Sequence, residues 1–340
     1  MLLELDPEMP TVKTPKIYLC VLNWNGKKHL EYCIPSILAT EYLNYELIVV
    51  DNASVDDSVE FVQTQFPDVR IIQNTCNLAW AGGNNVGIRD ALERGFDWIV
   101  LLNNDILLDP RWLTEAVFTA STDNNIGLIG FNVFGAFIRT PVEDFYAAQQ
   151  VYAETEIEDV QNICGCALMV KLEVFRNIGM IDETFFLYGE EEDFEIRAIY
   201  AGYRMISINL PVWHYSEGSS KSIPLTSSYY ALRNNLRIAI KWHQFGLLRA
   251  IRWLLANLRF SCSPFNKIDP QNAILRRMRP TNNPFINGWI VTKAFIWNLF
   301  NWTETIKIRG EEQKRIELHR TNRLLKNSEA DVRRCEVQVP

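Results

Sequence analysis

The triplet Asn103-Asn104-Asp105 is the first place where the chain offers chemistry. It closes an apolar run, Phe96 to Leu102, short enough to be a strand buried on both faces. In open α/β sheets ligands bind beyond the carboxyl ends of the strands, so a polar triplet there stands where a site is expected. A lone carboxylate flanked by amides suits a hard divalent cation that also holds substrate phosphates. A polar turn that merely ends the strand is the plainer reading. Two further clusters, Asn23-Trp24-Asn25-Gly26 and Asp51-Asn52-Ala53-Ser54, end two earlier apolar runs. Side by side, such tips form a crevice suited to a nucleotide, with Asp51 accepting from a base imide and Trp24 as an apolar wall. Asp51 also reads as the acceptor of a simple Asx turn.

The densest group of acids is Glu190-Glu191-Glu192-Asp193, placed between Gly189 and a helical stripe of Phe194, Ala198 and Ala201. The positive end of a helix dipole favours anions, and one carboxylate held there can take a proton from a hydroxyl nucleophile. For each of the four, a solvated first helical turn is the alternative. His214 ends a later strand pattern, and with Asp105 it would complete a mixed imidazole–carboxylate metal site. Asn77 to Gly87 contains adjacent Gly82 and Gly83, which reads as a loop bringing backbone N–H groups close to an anion or a ribose. It is neither Gly-x-Gly-x-x-Gly nor a Walker loop, which argues against dinucleotide and ATP binding.

The elements that must position these groups alternate. Strands are predicted over 17–22, 45–50, 69–73 and 96–102, with helices over 28–39, from a capping-box-like Ser54-x-x-Asp57 to Phe66, and over 84–93. Four strands separated by three helices imply a parallel sheet. Asp109-Pro110 is expected to open another helix with proline at its first position. Beyond Gly130 the alternation loosens. Strands are expected over 128–137 and 206–212, a variable polar segment over 140–160, a small apolar stretch over 164–170, and a short helix over 173–179.

The net charge of −7 hides an asymmetry: residues 241–340 carry 18 Lys+Arg against 8 Asp+Glu, or +10, leaving −17 for residues 1–240. A basic C-terminal third points to an anionic partner. In it, Leu247, Leu248, Ile251, Leu254, Leu255 and Leu258 fall on one face of a helix and Arg249, Arg252 and Arg259 on the other, a basic amphipathic pattern. Residues 285–303 are aromatic and apolar, yet three Asn, a Gly and Lys293 disfavour a membrane span. The remainder, 306–340, is charged and expected to be a polar, frayed tail. Seven cysteines with no Cys-x-x-Cys support neither zinc nor a disulfide framework, and Cys164-Gly165-Cys166 reads as a small-residue stretch. Residues 1–15 are acidic with no apolar signal core, so secretion is not expected.

Taken in register, VLNWNG (21–26), IVVDNAS (48–54), NLAWAGGNNVGI (77–88), LLNNDILLDP (101–110), GCALMVKLEVFRNIGMIDETFFLYGEEEDFEIR (165–197), VWHYSEGSS (212–220) and YYALRNN (229–235) resemble an inverting glycosyltransferase of family 2, in its bacterial rhamnosyltransferase-like branch. The resemblance covers roughly residues 16–240. It implies a GT-A fold, an α/β architecture with a mostly parallel central sheet flanked by helices, here followed by a C-terminal helical extension. On that basis 16–130 is the nucleotide-sugar half, 131–240 the acceptor half, and 241–305 a membrane-associating helical region. Asn103-Asn104-Asp105 stands in the position of the family's Asp-x-Asp motif, with Asn in place of the first acid. Asp105 and His214 would then contact Mg2+ or Mn2+. Donor contacts would fall on Asn23, Trp24, Asn25, Asp51, Asn77, Gly82, Gly83, Asn85, Asn103 and Asn104, and acceptor contacts on Gly165, Cys166 and Ala167. Glu191 falls where the family keeps its general base, with Glu190, Glu192 and Asp193 as alternatives.

The resemblance further implies a UDP- or dTDP-sugar donor and a glycan or polyprenyl-diphosphate-linked glycan acceptor. A cytoplasmic location on the inner membrane face follows, with no nucleic acid as partner and homo-oligomerisation left open. Two other classes compete. A sugar-phosphate nucleotidyltransferase would need a Gly-rich, Arg/Lys-bearing loop after the first strand, which Asn23 to Gly26 does not supply. A non-catalytic glycan- or membrane-binding scaffold would need neither Asp105 nor the acidic cluster, yet both are present.

Overall fold

The computed structural model describes residues 14–134, 155–215, 224–243, 246–261 and 283–336. Expectations for 1–13, for 140–154 and for Ser216 to Lys221 lie outside the described residues. The first half alternates as expected: β1 (Ile17–Asn23), α1 (Lys27–Leu38), β2 (Tyr45–Asp51), α2 (Ser58–Gln65), β3 (Arg70–Gln73), α3 (Ala79–Glu93) and β4 (Trp98–Asn103). These strands lie in the order β3-β2-β1-β4, all parallel. Successive residues of β1 feed opposite faces: Ile17, Leu19 and Val21 join one core, Tyr18 and Cys20 the other. Helices must therefore cover both sides, which is why the sequence reads as apolar runs without alternation.

The second half is mixed. It comprises β5 (Ile106–Leu108), α4 (Trp112–Thr122), β6 (Ile126–Phe134), β7 (Ile157–Asp159), β8 (Ala167–Lys171), α5 (Leu172–Ile178), α6 (Glu190–Tyr200) and β9 (Arg204–His214). β8 runs antiparallel to β4, and the sheet continues through β6 and β9 to β5. A 3-10 turn, Glu183–Phe185, precedes α6.

Three helix starts differ from expectation. Ser54 does not cap α2. Its hydroxyl donates to Asp51 Oδ1 at 2.6 Å, and the helix starts four residues later. α3 begins at Ala79 rather than Asn84, so Gly82 and Gly83 lie inside a helix, not in a loop. A Cβ on Gly83 would collide with Leu22, so the glycine serves close packing of α3 onto β1. Pro110 precedes α4 by two residues, and Asp109 instead accepts from the Arg111 N–H at 2.9 Å and, through its carbonyl, from Trp112 at 3.0 Å.

Among the described residues four helices follow the sheet: α7 (Pro224–Trp242), α8 (Leu247–Ser261), α9 (Pro284–Phe300) and α10 (Trp302–Glu336). The first three share a small core of Leu232, Leu236, Ile240, Ala250, Trp253, Ile290, Val291 and Ala294. The apolar face read for α8 divides. Leu254 and Leu258 turn toward that core, while Leu247, Leu248, Ile251 and Leu255 stay exposed.

The frayed tail expected from residue 306 is instead α10, which returns to the catalytic half. Its docking residues recur at helical spacing. Glu312 pairs with Arg197 and Lys241, Ile316 is buried, the His319 ring stacks on Tyr203 at 5.2 Å, and Arg323 donates to the Gly202 carbonyl at 2.8 Å. Because most of that face is polar, it carries no hydrophobic period to read. At its centre the wholly buried Lys241 ammonium meets Asp193 at 2.7 Å, Glu312 at 2.9 Å and Asp182 at 3.2 Å. Arg197 also pairs with Asp193 at 3.0 Å, and Arg237 with Asp182 at 3.4 Å.

Burial of Asp182 opposes ionisation, but Lys241 and Arg237, with hydrogen bonds from Thr184, overcome it and hold its carboxyl at about 2 against an ordinary 3.8. A depressed carboxyl stabilises the fold above its unfolded pKa and loses that contribution as pH falls through the folded value. Asp182→Asn is therefore expected to cost about 2 kcal/mol at pH 7 and to flatten the acid limb of the melting temperature between pH 4 and 2. Thermal melts of the two proteins across that range check this; parallel acid limbs would reject it.

Candidate active site

The carboxyl ends of β1, β2 and β4 open into a cleft of about 520 Å3. Its lining brings together Trp24, Asn77, Asn103, Asn104, Asp105, Cys164, Gly165, Cys166, Glu190, Glu191 and His214, which the sequence scatters over 190 positions. Asp105 lies in the turn between β4 and β5, and β5 pairs antiparallel with β9 so that Ile106 faces His214. That register fixes Asp105 Oδ1 at 3.1 Å from His214 Nε2. The Tyr215 N–H donates to the Asp105 carbonyl at 2.9 Å and secures the turn. Burial would raise the Asp105 carboxyl, but the hydrogen bond and charge of His214 outweigh it and hold the group below the usual carboxylate range. An ionised oxygen and an imidazole nitrogen converging on the cleft fit a divalent cation. Asn103 braces the pair: its amide approaches His214 Nε2 at 3.3 Å, and its carbonyl oxygen accepts from Trp80 Nε1 at 3.3 Å.

Asn23 and Asp51 sit beneath this surface. Asp51 is 2% exposed, and its oxygens accept from Asn23 Nδ2, the Ser54 hydroxyl and the Ser54 N–H. The Asx-turn reading describes this carboxylate, which ties two strand tips together instead of facing the cleft. Asn23 passes the order on by accepting from Asn104 Nδ2 at 2.7 Å. Asn25, with φ of 50°, accepts from the Val55 N–H at the rim. Gly82, Gly83 and Asn85 are corrected more strongly, because all three are buried in α3 and none lines the cleft. Asn85 holds the segment before α6, donating to the Ile181 carbonyl and Glu183 and accepting from the Ile181 N–H.

The first turn of α6 sorts its four acids. Asp193 points away and is consumed by Arg197, Lys241 and Trp242. Glu192 does not line the cleft; Glu190 and Glu191 do. Glu190 is 3% exposed and its Oε2 has no hydrogen-bond partner among the described residues. Burial, reinforced by the neighbouring Glu191 charge, pushes its carboxyl well up. Two neighbouring carboxyls, one buried and one partly exposed, suit an acid–base site.

The sequence reading missed three groups at the cleft. Trp80 packs over Gly165, where a Cβ would stand 3.1 Å from its ring. Phe186 and Tyr188 line the mouth from left-handed backbone, with φ of 66° and 67°, a conformation costly for aromatic residues. Nothing in their sequence signals it beyond Gly189, itself left-handed at φ 87°. Farther along α6, buried Glu195 accepts from the Ile163 N–H at 3.0 Å and Asn162 at 2.9 Å, anchoring the approach to Cys164. Cys164 and Cys166 bring their sulfurs to 3.4 Å. The hydrogen bond between them lowers the Cys164 thiol to about 6 and, with burial, raises Cys166. Ala167 is buried in β8 and does not line the cleft, so of the expected acceptor contacts Gly165 and Cys166 remain.

A sheet of this order, with an acid-and-imidazole pair at the strand ends and a glutamate across the cleft, defines a GT-A-type nucleotide-sugar transferase fold. The chain matches Glycosyl transferase family 2 over residues 18–179, just under half of its length. It is 24% identical over 284 residues to the N-acetylglucosaminyl-diphospho-decaprenol L-rhamnosyltransferase of Mycobacterium tuberculosis, covering 71% of this chain and 90% of that protein. It is 28% identical over 165 residues to the low-salt glycan biosynthesis hexosyltransferase Agl10 of Haloferax volcanii, covering 45% of this chain and 53% of the relative. The chain thus spans about half the length of the haloarchaeal protein. The fold matches a mannosyltransferase from Pyrobaculum calidifontis, solved with GDP-Man and Mn2+, at a TM-score of 0.52 and 16% identity over 86% of this chain and 76% of that one.

Proposed function

We propose that this chain transfers a sugar, rhamnose-like in the leading case, from a UDP- or dTDP-sugar to a hydroxyl of a glycan or polyprenyl-diphosphate-linked glycan, with inversion at the anomeric carbon. The observation that carries the reading is the placement of Asp105 and His214 on the lining of the same cleft as Glu191. The mycobacterial relative's name, with its decaprenyl diphosphate-linked acceptor, supports the acceptor class.

Asp105, ionised, and His214 would hold Mg2+ or Mn2+, which when bound supplies positive charge to the donor's diphosphate. Trp24 offers an apolar wall for the base, and Asn103 and Asn104 offer amides to the donor at the tip of β4. Glu191, partly exposed beside the buried Glu190, takes the proton from the acceptor hydroxyl as it attacks the anomeric carbon opposite the leaving diphosphate. Gly165, under Trp80, leaves the acceptor room to approach. Asp105→Ala is expected to abolish nucleotide diphosphate release from a donor panel. Glu191→Gln is expected to bind donor normally and lose at least about 100-fold in transfer. Full rate in Asp105→Ala would remove the metal assignment, and unchanged turnover in Glu191→Gln would move the base to Glu190.

The same enzyme works at the inner face of the cytoplasmic membrane. Among the described residues no helix is long and apolar enough to cross a membrane. The outer stripe of α8 (Leu247, Leu248, Ile251, Leu255) and that of α9 (Phe285, Trp289, Ile296, Phe300) are exposed, and Arg249, Arg252 and Arg259 accompany the first. Apolar side chains beside cations suit an interface of anionic lipid. Substituting Leu248, Trp289 and Phe300 together by Ser is expected to weaken sedimentation with anionic vesicles at least about tenfold while the melting temperature holds. Undiminished sedimentation would reject the membrane assignment.

A further inference from the structure

Cys-Gly-Cys reads in the sequence as a stretch of small residues, but the fold gives it neighbours that change its chemistry. Cys164 and Cys166 face the cleft with their sulfurs 3.4 Å apart, and one nitrogen of His214 lies with both sulfurs inside a mutual distance of 4.8 Å. The three come from different parts of the chain, a loop and the end of β9, and each is held in place. The Cys166 carbonyl accepts from the Asn103 N–H at 2.9 Å, and Glu195 fixes Ile163 just upstream. His214 is set by its register opposite Ile106.

We propose that Cys164, Cys166 and His214 form a binding site for a thiophilic divalent cation of the Zn2+ class, at the floor of the cleft. Two thiolates and an imidazole are a ligand set for such an ion, and three protein ligands with an open fourth position are the pattern of non-structural zinc sites. With metal–sulfur bonds of about 2.3 Å, tetrahedral geometry sets the two sulfurs about 3.8 Å apart, so the pair needs to open by only a few tenths of an ångström. The fourth position faces the cleft, where water or a donor phosphate oxygen completes the shell. Binding releases the thiol protons to solvent and involves no electron transfer.

Asp105 with oxygen donors favours Mg2+ or Mn2+, whereas the sulfur pair favours soft ions. Both sites draw on His214, so one ion at a time commands it. A thiophilic cation therefore takes His214 from Asp105 and competes with the donor's metal. This consequence rests on the proposed function; the binding itself does not. The second acid cluster of the described residues, Asp182, Asp193 and Glu312, offers no such site, since the Lys241 ammonium already fills it.

The test uses the full chain, reduced and freed of thiol reagents, titrated with Cd2+ in the absence of any donor. A thiolate-to-metal charge-transfer band saturating at one Cd2+ per chain is expected. Cys164→Ser and Cys166→Ser each lose the band, His214→Ala keeps it with affinity lowered at least about tenfold, and Cys76→Ser retains it in full. Melting curves establish that each variant is folded. Absence of the band in the wild-type protein, or its survival in folded Cys164→Ser, would overturn the proposal whatever the transfer assay shows. A disulfide between Cys164 and Cys166 that forms in place of metal binding under the same conditions would also overturn it.

Discussion

The contact between Asp105 and His214 is the constraint on which the cleft is built. Both groups are largely buried, and a carboxylate removed from water is costly unless another group compensates it. The compensation comes from 109 residues away, through the short pairing of β5 with β9. A register shift of one residue would turn His214 to the other face of the sheet and leave the carboxylate alone. β5 is only three residues long, yet Ile106, Leu107 and Leu108 are all buried, so the register is fixed by packing as well as by hydrogen bonds. Asn103 and Trp80 then lock the imidazole from the side.

A second layer of order lies under the strand tips. Asp51, Asn23, Ser54 and Asn104 form a chain of buried hydrogen bonds running from β2 through β1 to β4. Each polar group in it satisfies another, which removes the cost of burying them and makes the three tips a rigid unit. The residues that touch a ligand can then be few. Trp24, Asn104 and Asp105 reach the cleft, while the polar groups behind them set their positions.

The parallel half was legible because its signals are local: apolar runs of strand length, helical spacing between them and polar clusters at the tips. The polar tips at Asn103 to Asp105 and the acids at 190–193 were legible for the same reason. Their division of labour was not. Which of four consecutive carboxylates faces the cleft depends on the rotation of α6, and that rotation is set by Asp193 reaching Arg197, Lys241 and Trp242. Gly82 and Gly83 misled because a glycine pair that permits ligand approach and one that permits helix–sheet packing look alike in sequence. α10 was missed because its inward face is written in Glu312, His319 and Arg323, whose partners lie more than 100 positions earlier or on another helix.

That last feature ties the C-terminal helices to the acids at the start of α6. Lys241 of α7 pairs with Asp193, and Glu312 of α10 with Lys241 and Arg197, so the helix carrying Glu190 and Glu191 is held from behind by elements outside the sheet. The same α6 reaches forward through Glu195 to the loop that delivers Cys164 and Gly165. Glu190, Glu191 and the approach to Gly165 are thus set by one helix, and the pair of Asp105 and His214 by one strand register. The site is assembled by bringing those two rigid parts together across β4 and β8, whose antiparallel pairing marks the junction between the halves.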